Sequence, residues 1–153
     1  MAEQATVNIA GIAELRNIFF RLGVNLQQHE ELLEELANFA MFKIKKRTSA
    51  GKDVDGQFFQ PYTDKYKLFR QKNKRPTNKV DLFFTGSMLS AMTSEIELGE
   101  AILYFLNTED KFGGKNPLKA FYLNQNRNFF ALSNEDIQGL VNIVEDFINN
   151  IIR

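Results

Sequence analysis

A long helical repeat in the first third of the chain most strongly constrains what this sequence can fold into. Apolar residues recur at three- and four-residue spacing from Leu26 to Ile44, the pattern of one buried helix face. Glutamates crowd the first half of this segment and basic residues its last turn, and both placements favour the helix macrodipole. The sequence therefore predicts a helix over 26–47 whose apolar face needs another layer to cover it.

Two further long helices are predicted, one on each side of this segment. Apolar residues from Ile9 to Leu22 form a stripe at helical spacing, which predicts an N-terminal helix. Near the C-terminus, Ser133 followed by Asp136 has the spacing of a capping signature, and an apolar stripe continues over 137–151. We expect these helices to pack against one core.

The middle of the chain predicts a small antiparallel sheet. Two runs suited to strands, 93–98 and 101–107, flank Gly99-Glu100 and predict a hairpin. The shorter predicted elements are a reversal at Asp55-Gly56, a Thr63-capped basic helix over 63–72, an extended run over 80–84, a Thr85-capped turn of helix over 86–92 and a short helix over 117–123. Two N-terminal helices, an irregular basic stretch, a hairpin and a C-terminal helix indicate one α+β domain over 1–153.

Charge is distributed unevenly along the chain. Basic and acidic residues number 19 each, yet segment 43–79 holds twelve basic and three acidic residues, a formal charge of +9 against −9 elsewhere. Such segregation suits an anionic partner or a neighbouring copy of the same protein, with a lysine-enriched solvated loop as the alternative. The candidate interface residues are Lys65, Lys67, Arg70, Lys72, Lys74 and Arg75. We expect segment 49–80 to become ordered only on assembly.

Familiar catalytic and metal-binding motifs are all incomplete in this sequence. The chain has no cysteine, and its single histidine, His29, has Leu33 where a zinc-protease motif needs a second histidine. We interpret His29 as a surface residue of the helix. The run 53–56 lacks the end carboxylates of an EF-hand loop, and 113–115 lacks the rest of a phosphate-binding loop. We therefore expect no enzymatic activity, no metal and no cofactor. No apolar run is long enough for a transmembrane helix, so no membrane partner is expected.

Three stretches of the chain together resemble a known family. They are KRT followed by KDVDGQFFQPYT within 46–63, LFFTGSML over 82–89 and FFALSNEDI over 129–137. In this order they resemble the tailed-phage virion morphogenesis family, the tail completion and head–tail joining proteins. The residues that carry the resemblance are Arg47, Gly56, Phe59, Pro61, Thr85, Gly86, Leu89, Arg127, Phe130, Ser133 and Asp136.

The resemblance implies a non-enzymatic structural protein without a cofactor, found in the virion and assembled in the host cytoplasm. It implies a ring, a hexamer because tails of such phages have six-fold symmetry, that contacts itself, the portal-side connector and tail proteins. The basic residues would then face a neighbouring subunit or the DNA channel. Departures at Thr48, Phe59, Ser87 and Ala131 leave the branch open between joining protein, tail terminator and related connector.

The residues themselves also leave a second class of function open. A basic segment interleaved with Tyr62, Tyr66 and Phe69 can bind nucleic acid, with lysines on phosphates and rings on bases. The same spacing of Tyr66 and Phe69 equally suits the packing of a short helix. A small nucleic-acid-binding regulator that uses segment 43–79 is therefore the alternative to virion assembly.

Overall fold

A computed structural model describes residues 7–9, 26–97 and 99–153. In chain order the elements are β1 (Val7–Ile9), α1 (Leu26–Ser49), α2 (Asp64–Lys72), α3 (Ser87–Ser90), β2 (Met92–Glu97), β3 (Glu100–Phe105), α4 (Asn116–Arg127) and α5 (Asn134–Ile152). Helices and a small antiparallel sheet occupy separate parts of the chain, so the predicted α+β class is confirmed. Among the described helices, none has both the length and the apolar character needed to cross a membrane.

The sheet is antiparallel and has the order β1-β3-β2. The predicted hairpin is confirmed as β2 and β3, whose pairing runs from Met92 opposite Phe105 to Glu97 opposite Glu100. The turn comes one residue earlier than expected. Ile9, predicted to begin a helix, instead ends β1, which pairs with β3 at a distance in sequence that local periodicity does not report. The remainder of the predicted helix over 9–22 lies outside the described residues.

The core lies between α1 and the sheet, with α5 packed against α1. Along β3, Ala101, Leu103 and Phe105 are fully buried and alternate with partly exposed residues, so one face of the strand meets the helix. On α1, Leu33 and Ile44 belong to the buried face that covers this sheet. The long helix predicted over 26–47 is thus confirmed, together with the partner layer that it requires.

Segment 49–80 is packed onto this core in the single chain. Phe59, Tyr62 and Val80 are each at most 7% exposed and join the buried cluster. An antiparallel bridge between Lys52 and Phe58 closes the predicted reversal. The structure thus differs from the expectation that this segment is ordered only on assembly, since three of its apolar residues are already buried in the core of the single chain.

The predicted cap of α2 is confirmed, whereas the predicted extended run over 80–84 is wrong. The Thr63 hydroxyl accepts the Tyr66 N–H at 3.3 Å, as expected for the start of α2. The run 80–84 forms no strand. Leu82 has a positive φ of 52°, and the Asp81 carboxylate accepts the Phe83 N–H at 3.0 Å, so the chain turns there.

Candidate functional site

An aromatic groove with a volume of about 610 Å³ opens between α2, the segment before α3 and α4. We call it the aromatic groove and define it by six rings: Tyr62, Tyr66, Phe69, Phe84, Phe112 and Tyr122. Its charged side chains are Arg70, Asp110, Lys119 and Arg127. A volume of this size is in the range of ordinary binding sites, and its surface is mainly apolar.

Five of the six rings of the groove, all but Tyr122, form a continuous series of contacts. Residues three apart on α2 share one helix face, which brings the Tyr66 and Phe69 centroids to 5.9 Å. Phe69 then stacks on Phe84 at 5.3 Å, and Phe84 lies 5.8 Å from Phe112. These are ordinary aromatic pair distances. Phe69, Phe112 and Tyr122 nevertheless stay 43%, 57% and 62% exposed, so the rings present an open apolar surface.

Arg70 forms part of the floor of the groove and is 1% exposed. Its Nε donates to the Pro76 carbonyl at 2.7 Å, and its Nη1 donates to the Tyr62 hydroxyl at 3.1 Å and to the Phe83 carbonyl at 3.2 Å. Its Nη2 lies 3.5 Å from the Asp81 carboxylate. The prediction that Arg70 is an interface residue is therefore wrong as to its position, because loop carbonyls and a carboxylate draw the guanidinium inward.

Burial raises the pKa of the Tyr62 hydroxyl, and the positive charge of Arg70 opposes that shift only in part. The Arg70 guanidinium carbon also lies 4.6 Å from the Tyr62 ring centroid. Tyr62 therefore stays a neutral phenol that accepts from Arg70, and the two side chains fix one wall of the groove.

The other five predicted interface residues lie at or near the surface around α2. Three of them are exposed: Lys65, Lys72 and Lys74. Lys67 forms an ion pair with Asp64 at 3.3 Å, one helical turn away. The Arg75 guanidinium lies 5.8 Å from the Phe84 ring centroid, at the edge of the groove. Of the six predicted interface residues, Arg70 thus lines the groove, Arg75 lies next to one of its rings, and the four lysines lie on or after α2 outside the lining.

The opposite wall contains a pair that the sequence analysis missed. The Asp110 carboxylate forms an ion pair with Lys119 and accepts the backbone N–H groups of Phe112 at 2.8 Å and Gly114 at 3.0 Å. The Lys119 hydrogen bond, followed by these backbone donors, lowers the pKa of Asp110 to about 2. The sequence predicts a loop over 111–116, and an aspartate three residues before its glycine pair is a residue type that accepts backbone N–H groups in turns.

Arg127, in the last turn of α4, also lines the groove. Its Nε is buried and donates no hydrogen bond within the part of the chain that the structure describes. The same described ranges hold no ion pair for it. Among the described residues, Arg127 is therefore a cation in a mainly apolar groove whose Nε has no acceptor.

Away from the groove, Arg47 joins the end of α1 to the start of α5. Its Nη1 is paired with the Asp136 carboxylate, and its Nη2 donates to the Ala131 carbonyl at 2.5 Å and to the Phe129 carbonyl at 3.4 Å. The two charged side chains are 12% and 3% exposed. We call this set of contacts the Arg47 clamp.

Asp136 has a second role as the N3 residue of α5. Its carboxylate accepts the Ser133 N–H at 2.9 Å while its own N–H donates to the Ser133 hydroxyl at 3.1 Å, which confirms the predicted cap. Burial alone would raise the pKa of Asp136. The hydrogen bonds from Ser133 and Arg47, with the charge of Arg47, outweigh burial and hold that pKa below its ordinary value.

Most other residues that carry the family resemblance have a structural role that their type explains. Gly86 has a φ of 83°, and a Cβ there would lie 2.7 Å from the Phe83 ring, so this conformation favours glycine. The Thr85 hydroxyl accepts the Ser87 N–H at 3.3 Å before α3. Three of the remaining residues are buried in the core: Phe59, Leu89 and Phe130. The other two are exposed: Gly56 and Pro61.

His29 lies on the buried side of α1 and is 7% exposed, so its predicted surface position is wrong. Its ring packs beside the hairpin turn, with Cε1 3.5 Å from where a Cβ on Gly99 would lie. Within residues 7–9, 26–97 and 99–153, no group of three or more histidine or acidic residues is arranged to hold a metal ion.

Comparison of the chain with models of known protein families, with curated protein sequences and with solved structures finds no match.

Proposed function

We propose that this protein is a non-enzymatic structural component of a tailed phage or prophage. It forms a ring at the head–tail junction, as a joining, terminator or related connector subunit. The observation that carries the proposal is the Arg47 clamp. Arg47 belongs to the first stretch of the family pattern and Asp136 to the third, 89 residues later, and the two form one largely buried ion pair. Two residues of the pattern that are distant in sequence but in contact in the structure are what a pattern that specifies a fold would contain.

The surface of the chain supports an assembly role. Apolar side chains as large as Phe112 and Tyr122 stay more than half exposed beside the groove, and Val141 on α5 is 42% exposed. Contiguous exposed apolar surface is typical of protein–protein contacts. The protein is accordingly proposed to reside in the virion, with copies of itself, the portal-side connector and tail proteins as neighbours.

The arrangement of α2 favours assembly over the nucleic-acid-binding alternative. On this helix Tyr66 stacks on Phe69, and Phe69 stacks on Phe84, whereas a base-stacking platform presents separate ring faces. Arg70, central to the predicted basic surface, is buried and bonded to protein acceptors. These contacts leave fewer cations and fewer ring faces for phosphates and bases.

Inactivation of the gene in an inducible prophage tests the proposal. Induced lysates examined by electron microscopy should contain DNA-filled heads and unattached tails, and a plasmid copy of the wild-type gene should restore joined particles. Purified particles should contain the protein by mass spectrometry. Normal, infectious, tailed particles from the inactivated prophage would refute the proposed function.

A double variant and a control variant then test the exposed lysines of α2. Lys65→Glu with Lys72→Glu reverses two exposed charges on α2 and should leave the melting temperature unchanged while it reduces particle joining. The control, Lys45→Glu, reverses one lysine on α1. Sequence-selective DNA binding by the purified wild-type protein, lost in the double variant, would instead favour the regulator.

A further inference from the structure

A second apolar surface lies on the outward side of α5. Ile137, Val141 and Ile152 are 47%, 42% and 65% exposed, although the opposite side of the same helix is packed on α1. Ile137, Val141 and Glu145 are four residues apart in succession and therefore follow one line along the helix. We call this line the α5 stripe.

Glu145 places a carboxylate within the α5 stripe. It is exposed and has no ion pair in the part of the chain that the structure describes. The two acids at the start of α5 differ, because Glu135 pairs with Lys43 and Asp136 with Arg47. Asp146 is exposed and unpaired among the described residues like Glu145, but it lies one position further along the helix and so off the line of Ile137 and Val141. The α5 stripe is thus an apolar surface that carries one negative charge.

The aromatic groove has the complementary character. It offers exposed rings and the Arg127 guanidinium, whose Nε has no acceptor among the described residues. Its described lining contains no residue of α5, so groove and stripe are different patches of one chain. Two different, complementary patches are what a closed head-to-tail ring requires of its subunit.

We propose that the aromatic groove receives the α5 stripe of a second copy, with Glu145 of the partner subunit paired to Arg127. This inference rests on the proposed function, since it names the contact between neighbours in the ring. The rings at the groove mouth cover Val141 of the partner subunit, and the charge pair fixes the register of the helix. Such complementarity sets specificity as well as affinity.

Charge exchange between two variants tests the contact directly. Arg127→Glu and Glu145→Arg each place like charges at every interface, so each purified variant should associate about 100-fold more weakly than wild type by analytical ultracentrifugation. In an equal mixture, every groove of one variant faces a stripe of the other with opposite charge. The mixture should therefore assemble, and native mass spectrometry should find equal numbers of the two chains in each ring.

The control variant is Asp146→Arg, which changes the neighbouring acid on a different side of α5. It should assemble like wild type on its own and should fail to restore Arg127→Glu in a mixture. Single variants that assemble normally, or a mixture that stays monomeric, would overturn the proposed contact.

Cysteine trapping gives a measurement that does not depend on burying a new charge. The chain has no cysteine, so the pair Tyr122→Cys and Val141→Cys introduces the two thiols alone. Mild oxidation of the assembled protein should link copies into covalent ladders, whereas Tyr122→Cys with Asp146→Cys should not. Equal cross-linking of both pairs would count against the α5 stripe as the occupant.

These experiments separate the contact from the function that it serves. Rings that respond to charge exchange, in a phage that makes normal particles without the gene, would retain the contact and reject the head–tail role. A wild-type protein that stays monomeric at all concentrations, in a phage that needs it for joining, would retain the role and reject the contact.

Discussion

Replacement of Arg47 by methionine should destabilise the fold more than the same replacement of any other charged residue on α1. Methionine keeps the apolar stem of the side chain but removes the guanidinium. The Asp136 carboxylate, 3% exposed, then loses its ionic partner, and the carbonyls of Phe129 and Ala131 lose their donor. Loss of one partner of a buried pair commonly costs ~3–5 kcal/mol, and the 12% exposure of Arg47 places this site near the lower end.

A loss of about 3 kcal/mol is a large part of the ~5–15 kcal/mol stability of an ordinary domain. Urea unfolding followed by circular dichroism should show the midpoint falling by about 1.5 M, for a slope near 2 kcal/mol/M. The matched control is Lys43→Met, which removes the ion pair between the same two helices at Glu135, a residue 84% exposed. Exposed pairs contribute little, so that midpoint should hardly move.

The free energy of unfolding should also depend on pH in a way that reports the ion pair between Arg47 and Asp136. The pKa of Asp136 is held below its unfolded value of about 3.9, so its contribution is present above that pH and is lost as the pH falls through the folded pKa. In Arg47→Met, burial raises the pKa of Asp136 and protonation relieves the unpaired charge. As the pH falls, the stability difference between wild type and variant should therefore begin to narrow at the raised Asp136 pKa of the variant, above about pH 4, and continue to narrow down to the lowered pKa of the wild type. Equal losses for Arg47→Met and Lys43→Met, or a difference independent of pH, would refute this account of the clamp.

Two other predictions concern a backbone position and a loop. Gly51→Ala should destabilise by about 2–4 kcal/mol, because φ is 80° and the new Cβ would lie 2.9 Å from the Val80 carbonyl oxygen; Gly113→Ala, with a φ of 78° and open space, should cost only about 1 kcal/mol in the same urea assay. Lys119→Met should raise the pKa of Asp110 from about 2 toward its ordinary value, as measured by NMR titration, and an unchanged value would show that the backbone donors alone lower it.

The elements that sequence predicts well are those whose signals are local. The apolar repeat of α1, the hairpin turn and the caps at Thr63 and Ser133 are each written within a few residues, and the structure contains all of them. The α4 helix runs beyond its predicted end near 123 to Arg127 because its last turns carry no stop signal before Asn128, which takes a positive φ of 37°.

What sequence predicts poorly is where a charged side chain goes when its partners lie in loops. Arg70 belongs to a basic run of the sequence. No periodic pattern predicts that it donates hydrogen bonds to the carbonyl oxygens of Pro76 and Phe83. The aromatic groove is similar, since it joins α2 to rings from the loops before α3 and after β3. Such sites depend on contacts between segments, which a single sequence does not report.

The contacts within the chain account for part of the charge segregation seen in the sequence. Part of the positive segment is used within the chain, because Lys43 and Arg47 pair with acids of α5 and Arg70 with Asp81. Those pairs join the two oppositely charged parts of one molecule, and they leave less charge for a partner than the formal +9 suggests. Five lysines of the segment remain exposed: Lys46, Lys65, Lys72, Lys74 and Lys79. Arg127 lies outside the segment and lines the groove. In the proposed assembly contact, the apolar rings supply most of the affinity and a few charges fix the register. Because each interface of a ring would contain one Arg127, reversal of that charge alone is expected to weaken association at every interface.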